Sequence, residues 1–301
     1  MKLRTIVAAG AFILAGLSAV TAQQADPRFK SPPDGSPYRT ERVEPFKVID
    51  NIYFVGTTQH NVSWLIATPE GHMIIDTLFE KDVPAVLDNI RKLGFKPDDI
   101  KYILTLHAHG DHAAGHAAMQ EATGGQILVP EEDAVIIETG GKADTHSKPW
   151  TPAKVDRRIV DGEKITLGGT TLTAHLTPGH TEGCNSWTTV AEEEGQKYDV
   201  IFMCGVRMDG TTLLDDPGYP DIASDFAGSF KTLQSLPVDV FLGGHGYWFS
   251  FGEKIARMKA GEGYKAWIDP EGYRTSIDGW QQIFVEQLLK EAMAKKAAEK
   301  K

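Results

Sequence analysis

The sequence His-Ala-His-Gly-Asp-His at residues 107–112 is the stretch that decides how this chain is organised. Its three imidazoles and one carboxylate are ligands that zinc-like cations prefer. In an extended chain His107 and His109 point to the same side, so both can bind one ion. Asp111 and His112, past a bend, can reach a second ion. A single histidine is most often a surface or core residue, but four potential ligands in six positions predict a metal site.

The residues on both sides of this cluster place it at the end of a strand. The apolar run 102–106 precedes it, and a run with helical spacing, 113–121, follows it. The pattern therefore predicts a strand, a loop and a helix, with the cluster at the mouth of a sheet. Further strands are predicted over 52–55, 62–67, 72–77, 126–129, 165–167, 171–176, 185–190, 200–203 and 238–242, and further helices over 81–93, from 131, over 222–236, over 252–260 and from about 276.

The order of these elements predicts an α/β fold. Strands and helices are followed by strands and helices again, which indicates two β-rich halves packed face to face with helices outside. No linker-like composition separates the halves, so we predict one domain over 23–301. Within it, 23–46 is expected to be an extended N-terminal arm, and 276–301 a C-terminal helix and tail.

The first 22 residues have the features of a secretory signal peptide. Lys2 and Arg4 precede the apolar run 5–20, and small residues then allow cleavage before Gln23. The apolar run is short for a membrane span, so a retained anchor is the less favoured alternative. We therefore expect an exported protein that leaves the membrane after cleavage and is periplasmic in a Gram-negative cell.

The charge of the chain excludes one class of partner. Its formal net charge is −10 at pH 7, and loss of the signal would make it more negative. Binding to nucleic acid needs a basic face, so we expect no nucleic-acid partner. An anionic substrate would have to be attracted by local positive charge, such as a metal centre.

The two cysteines, Cys184 and Cys204, allow three interpretations. In an oxidising compartment such a pair is a candidate disulfide. The alternatives are two buried free thiols, or Cys204 as a metal ligand.

Two further histidines follow predicted strands in glycine-rich loops. His180 lies in the loop 177–183, and His245 lies in the loop 243–246. Loops at strand ends commonly carry functional side chains because a rigid sheet holds them in place. With these two, the set of potential ligands is large enough for two zinc ions, with water completing each coordination shell.

The complete set of motifs resembles the metallo-β-lactamase superfamily. The pattern His107-x-His109-x-Asp111-His112 is followed by His180 in a Pro-Gly-His-Thr context and by His245 after an apolar strand. Within the superfamily the chain is similar to the subclass B3 metallo-β-lactamases over roughly residues 45–290. The stretches that carry this resemblance are 65–77, 175–187, 221–245 and 268–274.

The resemblance implies a fold and a set of ligands. The fold would be a four-layer αβ/βα sandwich, in which two mixed sheets lie face to face and helices cover the outside. The first zinc ion would be held by His107, His109 and His180. The second would be held by Asp111, His112 and His245, and Asp111 would orient the zinc-bound hydroxide that attacks the substrate.

Several positions depart from patterns in the superfamily. Thioesterases and lactonases usually place a metal-bridging aspartate where this chain has Cys204 and Gly205, which favours a lactamase. Some subclass B3 members join two such cysteines, so the resemblance implies a Cys184–Cys204 disulfide. Gly110 stands where a bulkier residue is common, and Gly205 and Arg207 stand where small polar side chains are usual.

The roles of three other charged or titratable side chains are predicted from their positions in the sequence. Arg207 and the second zinc ion are the candidates for binding a substrate carboxylate. His60, on the loop between two predicted strands, is a candidate substrate contact. His116 is expected to be a solvated helix residue.

The resemblance therefore implies a zinc-dependent β-lactamase, and we expect it to be a monomer. It would hydrolyse the amide bond of small-molecule β-lactams, namely penicillins, cephalosporins and carbapenems. One alternative is a hydrolase of the same fold acting on a lactone or a thioester. The other is an exported zinc-binding protein without catalytic activity.

Overall fold

A computed structural model describes residues 26–144, 148–208 and 211–299 of the chain. The predicted signal peptide, residues 1–22, lies outside the described residues. Within them, none of the helices combines the length and the apolar character that crossing a bilayer requires.

Twelve strands in the described residues form two mixed sheets. The first sheet has seven strands in chain order, antiparallel from β1 to β4 and parallel from β4 to β7. Its strands are β1 (Phe46–Ile49), β2 (Ile52–Phe54), β3 (Trp64–Thr68), β4 (Gly71–Ile75), β5 (Ile100–Leu104), β6 (Gln126–Pro130) and β7 (Arg157–Ile159).

The second sheet has five strands in the order β12-β11-β10-β9-β8. Only its β11–β12 pair is parallel. Its strands are β8 (Lys164–Leu167), β9 (Thr170–Leu176), β10 (Asn185–Glu193), β11 (Gln196–Met203) and β12 (Val240–Gly243). The predicted acidic hairpin is present, but its strands are longer than predicted. Pairing continues to Glu193 and Gln196, and the turn uses positive φ at Glu194 and Gly195, as tight hairpin turns require.

Eight α-helices lie in the described part of the chain. They are α1 (Pro37–Thr40), α2 (Val83–Lys92), α3 (Gly110–Ala113), α4 (His116–Thr123), α5 (Glu131–Glu138), α6 (Ile222–Ser235), α7 (Phe251–Arg257) and α8 (Pro270–Ala298). Short 3-10 turns occur at Pro27–Phe29, Glu80–Asp82, Pro97–Asp99, Gly246–Phe249 and Gly263–Trp267, and a π-helical turn at Met258–Glu262.

Two helix boundaries differ from the prediction. The terminal helix begins at Pro270, earlier than about residue 276, because the Asp269 side chain accepts a hydrogen bond from the Gly272 amide and caps it. The helix predicted over 113–121 is two helices, broken at Gly115. The Gly115 amide donates to Leu78 O at 2.8 Å, and a Cβ there would lie 2.7 Å from Thr77 O. This close backbone approach diverts the chain between α3 and α4.

The sheets pack as the order of elements predicts. Trp64 and Ile66 of β3 belong to the core between the sheets, whereas Leu65 belongs to a second core that includes residues of α2. This alternation is what a strand covered on both faces requires. The Trp64 indole N–H donates to Gly243 O at 3.1 Å, and the Trp187 indole N–H donates to Thr105 O at 3.2 Å. These bonds join the two sheets near the strand ends that carry the predicted ligands.

The segment before β1 is less extended than predicted. It contains a 3-10 turn and the helix α1, each of which has a proline in its first turn. The Phe29 ring packs on Trp280 with centroids 5.3 Å apart, and the Tyr38 hydroxyl accepts a hydrogen bond from the Tyr247 amide at 2.7 Å. The segment is therefore folded against the domain near the loop that carries His245.

Candidate metal centre

The first group of potential ligands contains three histidines from two loops. His107 and His109 follow β5, and His180 follows β9. The ring centroids lie 4.8 Å apart for His107 and His109, 4.6 Å for His107 and His180, and 4.7 Å for His109 and His180. One nitrogen of each ring lies within 4.8 Å of the other two. Three nitrogen donors at this spacing can hold one metal ion.

The second group lies beside the first. Asp111 Oδ2 is 3.4 Å from His245 Nε2, and Asp111 Oδ1 is 3.9 Å from His112 Nε2. The two Nε2 atoms are themselves 3.4 Å apart. His60 Nε2 is also near, at 3.8 Å from Asp111 Oδ2, and its ring is stacked on His245 with centroids 4.1 Å apart. The structure thus brings together all six residues that the sequence predicted as ligands, and His60 lies as close to Asp111 as His112 does.

Backbone carbonyls fix the tautomer of two of these histidines. His180 Nδ1 donates to Arg207 O at 2.8 Å, and His245 Nδ1 donates to His60 O at 3.0 Å. Because a carbonyl can only accept, each Nδ1 carries the proton and each Nε2 keeps a lone pair. Those lone pairs are available to a metal ion.

Asp76 supports His112 and was not identified from the sequence. Its Oδ2 lies 2.7 Å from His112 Nδ1, and its Oδ1 accepts hydrogen bonds from the Leu106 amide at 2.8 Å and the Thr105 hydroxyl at 3.0 Å. A carboxylate behind a metal-binding histidine orients the ring and increases its basicity. The sequence feature that could have identified Asp76 is its position as a single acidic residue directly after the buried strand β4.

The protonation states suit a metal centre. Burial lowers the pKa of His109 to about 3 and places the pKa values of His107 and His245 well below their ordinary value, so these rings are neutral. Burial opposes protonation of His112, but the Asp76 and Asp111 carboxylates make the net shift of its pKa upward. Burial alone would raise the pKa of Asp111, but the charge of His112 beside it makes the net shift downward. Neutral imidazoles and an ionised carboxylate are the forms that bind zinc-like cations, so His107, His109, His245 and Asp111 fit such a metal, and His112 would release a proton on binding it.

Asp133 is a second residue that the sequence analysis missed. It is completely buried beneath the ligand loops, and burial raises its pKa to about 8. Its Oδ1 accepts a hydrogen bond from the Thr181 hydroxyl, next to His180, at 3.4 Å. Asp133 therefore supports the loop that carries His180.

The cysteines form a disulfide between the residue before β10 and the residue after β11. The interpretations as free thiols and as a thiolate metal ligand are therefore wrong. Cys204 Sγ lies 3.7 Å from His107 Nδ1, behind the first group.

Two glycines that depart from the superfamily pattern, Gly205 and Gly110, have different surroundings. A Cβ at Gly205 would lie 2.6 Å from the His180 ring, so a side chain there would displace this histidine. A Cβ at Gly110 would meet only ordinary contacts with Trp150 and Phe79, at 3.5 Å and 3.7 Å. Gly205 is thus required by the position of His180, and Gly110 is not required by its neighbours.

The structure also gives the positions of Arg207 and His116, whose roles the sequence analysis predicted. Arg207 lines a cavity of about 610 Å³ that opens on His109, Asp111 and His180, and its guanidinium donates to the Tyr247 hydroxyl at 3.3 Å. His116 is fully buried, and its Nδ1 lies 2.7 Å from Thr77 Oγ1, so the prediction of a solvated residue was wrong. The interruption between α3 and α4 at Gly115 turns the start of α4 inward.

Comparisons with known proteins agree with this geometry. Residues 56–245 match the model of the metallo-beta-lactamase superfamily. The native FEZ-1 metallo-beta-lactamase from Legionella gormanii superposes with a TM-score of 0.80 and 38% identity, covering 83% of this chain and 97% of that one. The subclass B3 metallo-beta-lactamase BJP-1 of Bradyrhizobium japonicum superposes with a TM-score of 0.79 and 36% identity, covering 85% and 98%.

Curated relatives with other activities are more distant. The hydroxyacylglutathione hydrolase of Hyphomonas neptunium is 32% identical over 155 residues, which are 50% of this chain and 52% of that protein. The chain spans about half the length of the curated relatives it matches.

Proposed function

This chain belongs to the metallo-beta-lactamase superfamily of hydrolases, and we propose that it is a zinc-dependent β-lactamase that opens the amide bond of penicillins, cephalosporins and carbapenems. One observation carries the proposal. Six buried or half-buried donors, the predicted ligands, converge in two adjacent groups, in a fold that matches solved β-lactamases over more than four-fifths of the chain.

We assign the donors to two zinc ions. The first ion is bound by His107, His109 and His180, and the second by Asp111, His112 and His245. When bound, zinc would supply Lewis-acid chemistry that activates a water molecule and polarises a substrate carbonyl.

The residues of the chain orient the reactants. Asp111 keeps one carboxylate oxygen available to accept a hydrogen bond from the attacking water and to direct it at the carbonyl carbon. Asp76 holds the His112 imidazole in one orientation through a contact with its Nδ1. Hydrolysis adds the hydroxyl of water to the carbonyl carbon and a proton to the departing nitrogen, so no protein nucleophile is needed. Arg207, on the cavity wall, is a candidate partner for the substrate carboxylate.

A thioester or lactone hydrolase is the second candidate function. The likeness to a hydroxyacylglutathione hydrolase favours it. The disulfide sulfur of Cys204 disfavours it, because related thioesterases and lactonases usually have a metal-bridging carboxylate at that position. A zinc-binding protein without activity is disfavoured by the 610 Å³ cavity at the ligands, since structural zinc sites are closed.

We also propose that the protein acts in an exported, oxidising compartment and as a monomer. The disulfide supports the first statement, because such bonds persist mainly outside the cytosol. The assigned metal centre is complete within one chain, so the second statement requires no residue from another copy. Fractionation of cells that produce the full-length protein, followed by light scattering of the purified product, tests both statements.

Hydrolysis of three substrates by one preparation tests the main proposal. Nitrocefin, a glutathione thioester and a homoserine lactone are supplied in parallel to zinc-loaded protein, with and without a chelator. The proposal predicts chelator-sensitive turnover that is fastest for nitrocefin. Faster turnover of the thioester or the lactone would replace it with the second candidate.

A further inference from the structure

Arg39 is a fixed cation at the margin of the second ligand group. Its Nε donates to Pro32 O at 2.9 Å, its Nη2 donates to Ser31 Oγ at 2.9 Å, and its Nη1 lies 2.6 Å from His60 Nε2. A guanidinium has five N–H groups, so three such bonds leave two of them for another acceptor. The exposed Asp34 carboxylate also lies 3.4 Å from Nε and is an anionic neighbour of Arg39. The guanidinium is therefore held in one place without being saturated.

The hydrogen bonding of His60 is that of a residue that holds Arg39 in place. Because a guanidinium can only donate, His60 Nε2 must accept, which leaves the proton on Nδ1. This Nδ1 is buried, and no acceptor reaches it from the described residues.

His180 and His245 differ from His60 in this respect. Each of them donates its Nδ1 proton to a backbone carbonyl, so that its Nε2 is the ring nitrogen without that proton. Metal-binding histidines almost always donate their second nitrogen in this way. His60 lies close enough to Asp111 to be considered a ligand, but its bonding fits a residue that positions Arg39.

Arg39 and Arg207 line the same cavity as the predicted metal ligands. This cavity has a volume of about 220 Å³, and its walls also include Ser31, His60 and Tyr247. The chain has a net charge of −10, so an anion is attracted to this cavity by local cations and not by the overall field. An arginine with two unused N–H groups is suited to bind a carboxylate.

We propose that Arg39, beside the candidate Arg207 in the same cavity, binds the carboxylate of the substrate and that His60 is a positioning residue that acts through Arg39. The inference rests on the proposed function, because β-lactam substrates carry a carboxylate beside the reacting ring. It assigns a binding role to the segment before β1, and it makes His60 an indirect contributor instead of a direct substrate contact.

Steady-state kinetics with a matched pair of substrates tests the proposal. Nitrocefin and the methyl ester of its ring carboxylate are compared in the zinc-loaded native protein and in Arg39→Ala. We expect KM for the acid to rise about 10- to 100-fold, with a much smaller change for the ester and for kcat. Arg42→Ala is the matched control, because Arg42 is exposed, lies three residues away and is outside the cavity lining.

Further variants separate positioning from loss of folding. His60→Ala should raise KM for the acid in the same direction, and His60→Gln, which retains an acceptor, should restore part of the loss. A folding defect would change both substrates and the zinc content together. Because the acid and the ester are compared within one variant, their ratio remains informative even if total activity falls.

The possible outcomes are distinguishable. If native protein hydrolyses nitrocefin but Arg39→Ala changes acid and ester equally or not at all, the role of Arg39 is overturned and the proposed function stands. If zinc-loaded native protein hydrolyses neither substrate, the proposed function fails, and the role of Arg39 fails with it.

Discussion

Asp76 Oδ2 lies 2.7 Å from His112 Nδ1, and both side chains are almost completely inaccessible to solvent. The same carboxylate accepts a hydrogen bond from the Leu106 amide. One buried anion therefore fixes both a predicted metal ligand and the backbone that enters the ligand cluster. It connects the end of β4 to a site whose other residues follow β5, β9 and β12.

Replacement of Asp76 should weaken the second metal site. In Asp76→Ala the His112 ring loses its orienting partner, so we expect zinc affinity at one of the two sites to fall about 10- to 100-fold. Competition with a chromophoric chelator measures this affinity. Asp98→Ala, which removes an exposed carboxylate from the same half of the chain, is the control. Unchanged zinc binding in Asp76→Ala would show that this carboxylate is only structural.

Gly205→Ala should damage the first metal site. The added Cβ would lie 2.6 Å from the His180 ring and would force it to move. We expect about one zinc ion per chain to be lost, with most of the activity. Gly228→Ala is the control, because a Cβ there meets nothing within 4 Å and alanine favours a helix. A fully zinc-loaded Gly205→Ala protein would contradict the close contact.

Asp133 should make stability fall as pH rises. Its pKa in the folded protein is about 8, raised by burial above its ordinary value of 3.8. Between these values the folded state holds a proton that the unfolded state has released, so raising the pH favours unfolding. Asp133→Asn cannot titrate and should remove this part of the pH dependence.

Urea unfolding of zinc-free protein at pH 5, 7 and 8.5 measures the effect of Asp133. The quantity compared is the difference in unfolding free energy between the native protein and Asp133→Asn at each pH, since all other groups titrate in both proteins. A difference that does not change with pH would contradict a raised pKa.

Removal of the disulfide should destabilise the fold. The bond closes a loop with a sequence separation of 20, and a constraint of that size contributes about 3 kcal/mol to the free energy of unfolding. The double variant Cys184→Ser, Cys204→Ser should therefore unfold at lower urea concentration. A thiol reductant should destabilise the native protein by a similar amount and leave the double variant unchanged. Equal sensitivity of both proteins to the reductant would contradict the assignment.

Local patterns were enough to predict the fold class and the residues that converge. Alternating apolar residues gave the strands, and polar residues directly after them gave the ligand loops, because a sheet brings its strand ends to a common edge. The order of elements gave two layers of strands with helices outside, and the structure confirms this arrangement.

Residues that act through distant contacts could not be found in this way. Asp76 and His112 are 36 positions apart, and Arg39 and His60 are 21 apart. Neither pair leaves a periodic signal, because a hydrogen bond between separate elements depends on how the elements pack. The start of α8 is a different case, since Asp269 and Pro270 are local capping signals that were available in the sequence.

The central claim is that two divalent ions are held by six side chains and support hydrolysis. The most direct measurement is the zinc content of purified protein, native and with His180→Ala or His245→Ala, followed by nitrocefin turnover of the same samples. The account predicts about two zinc ions per native chain and about one in each variant, with turnover lost alongside the metal. Native protein that cannot be loaded with zinc, or variants that retain both ions and full turnover, would contradict it.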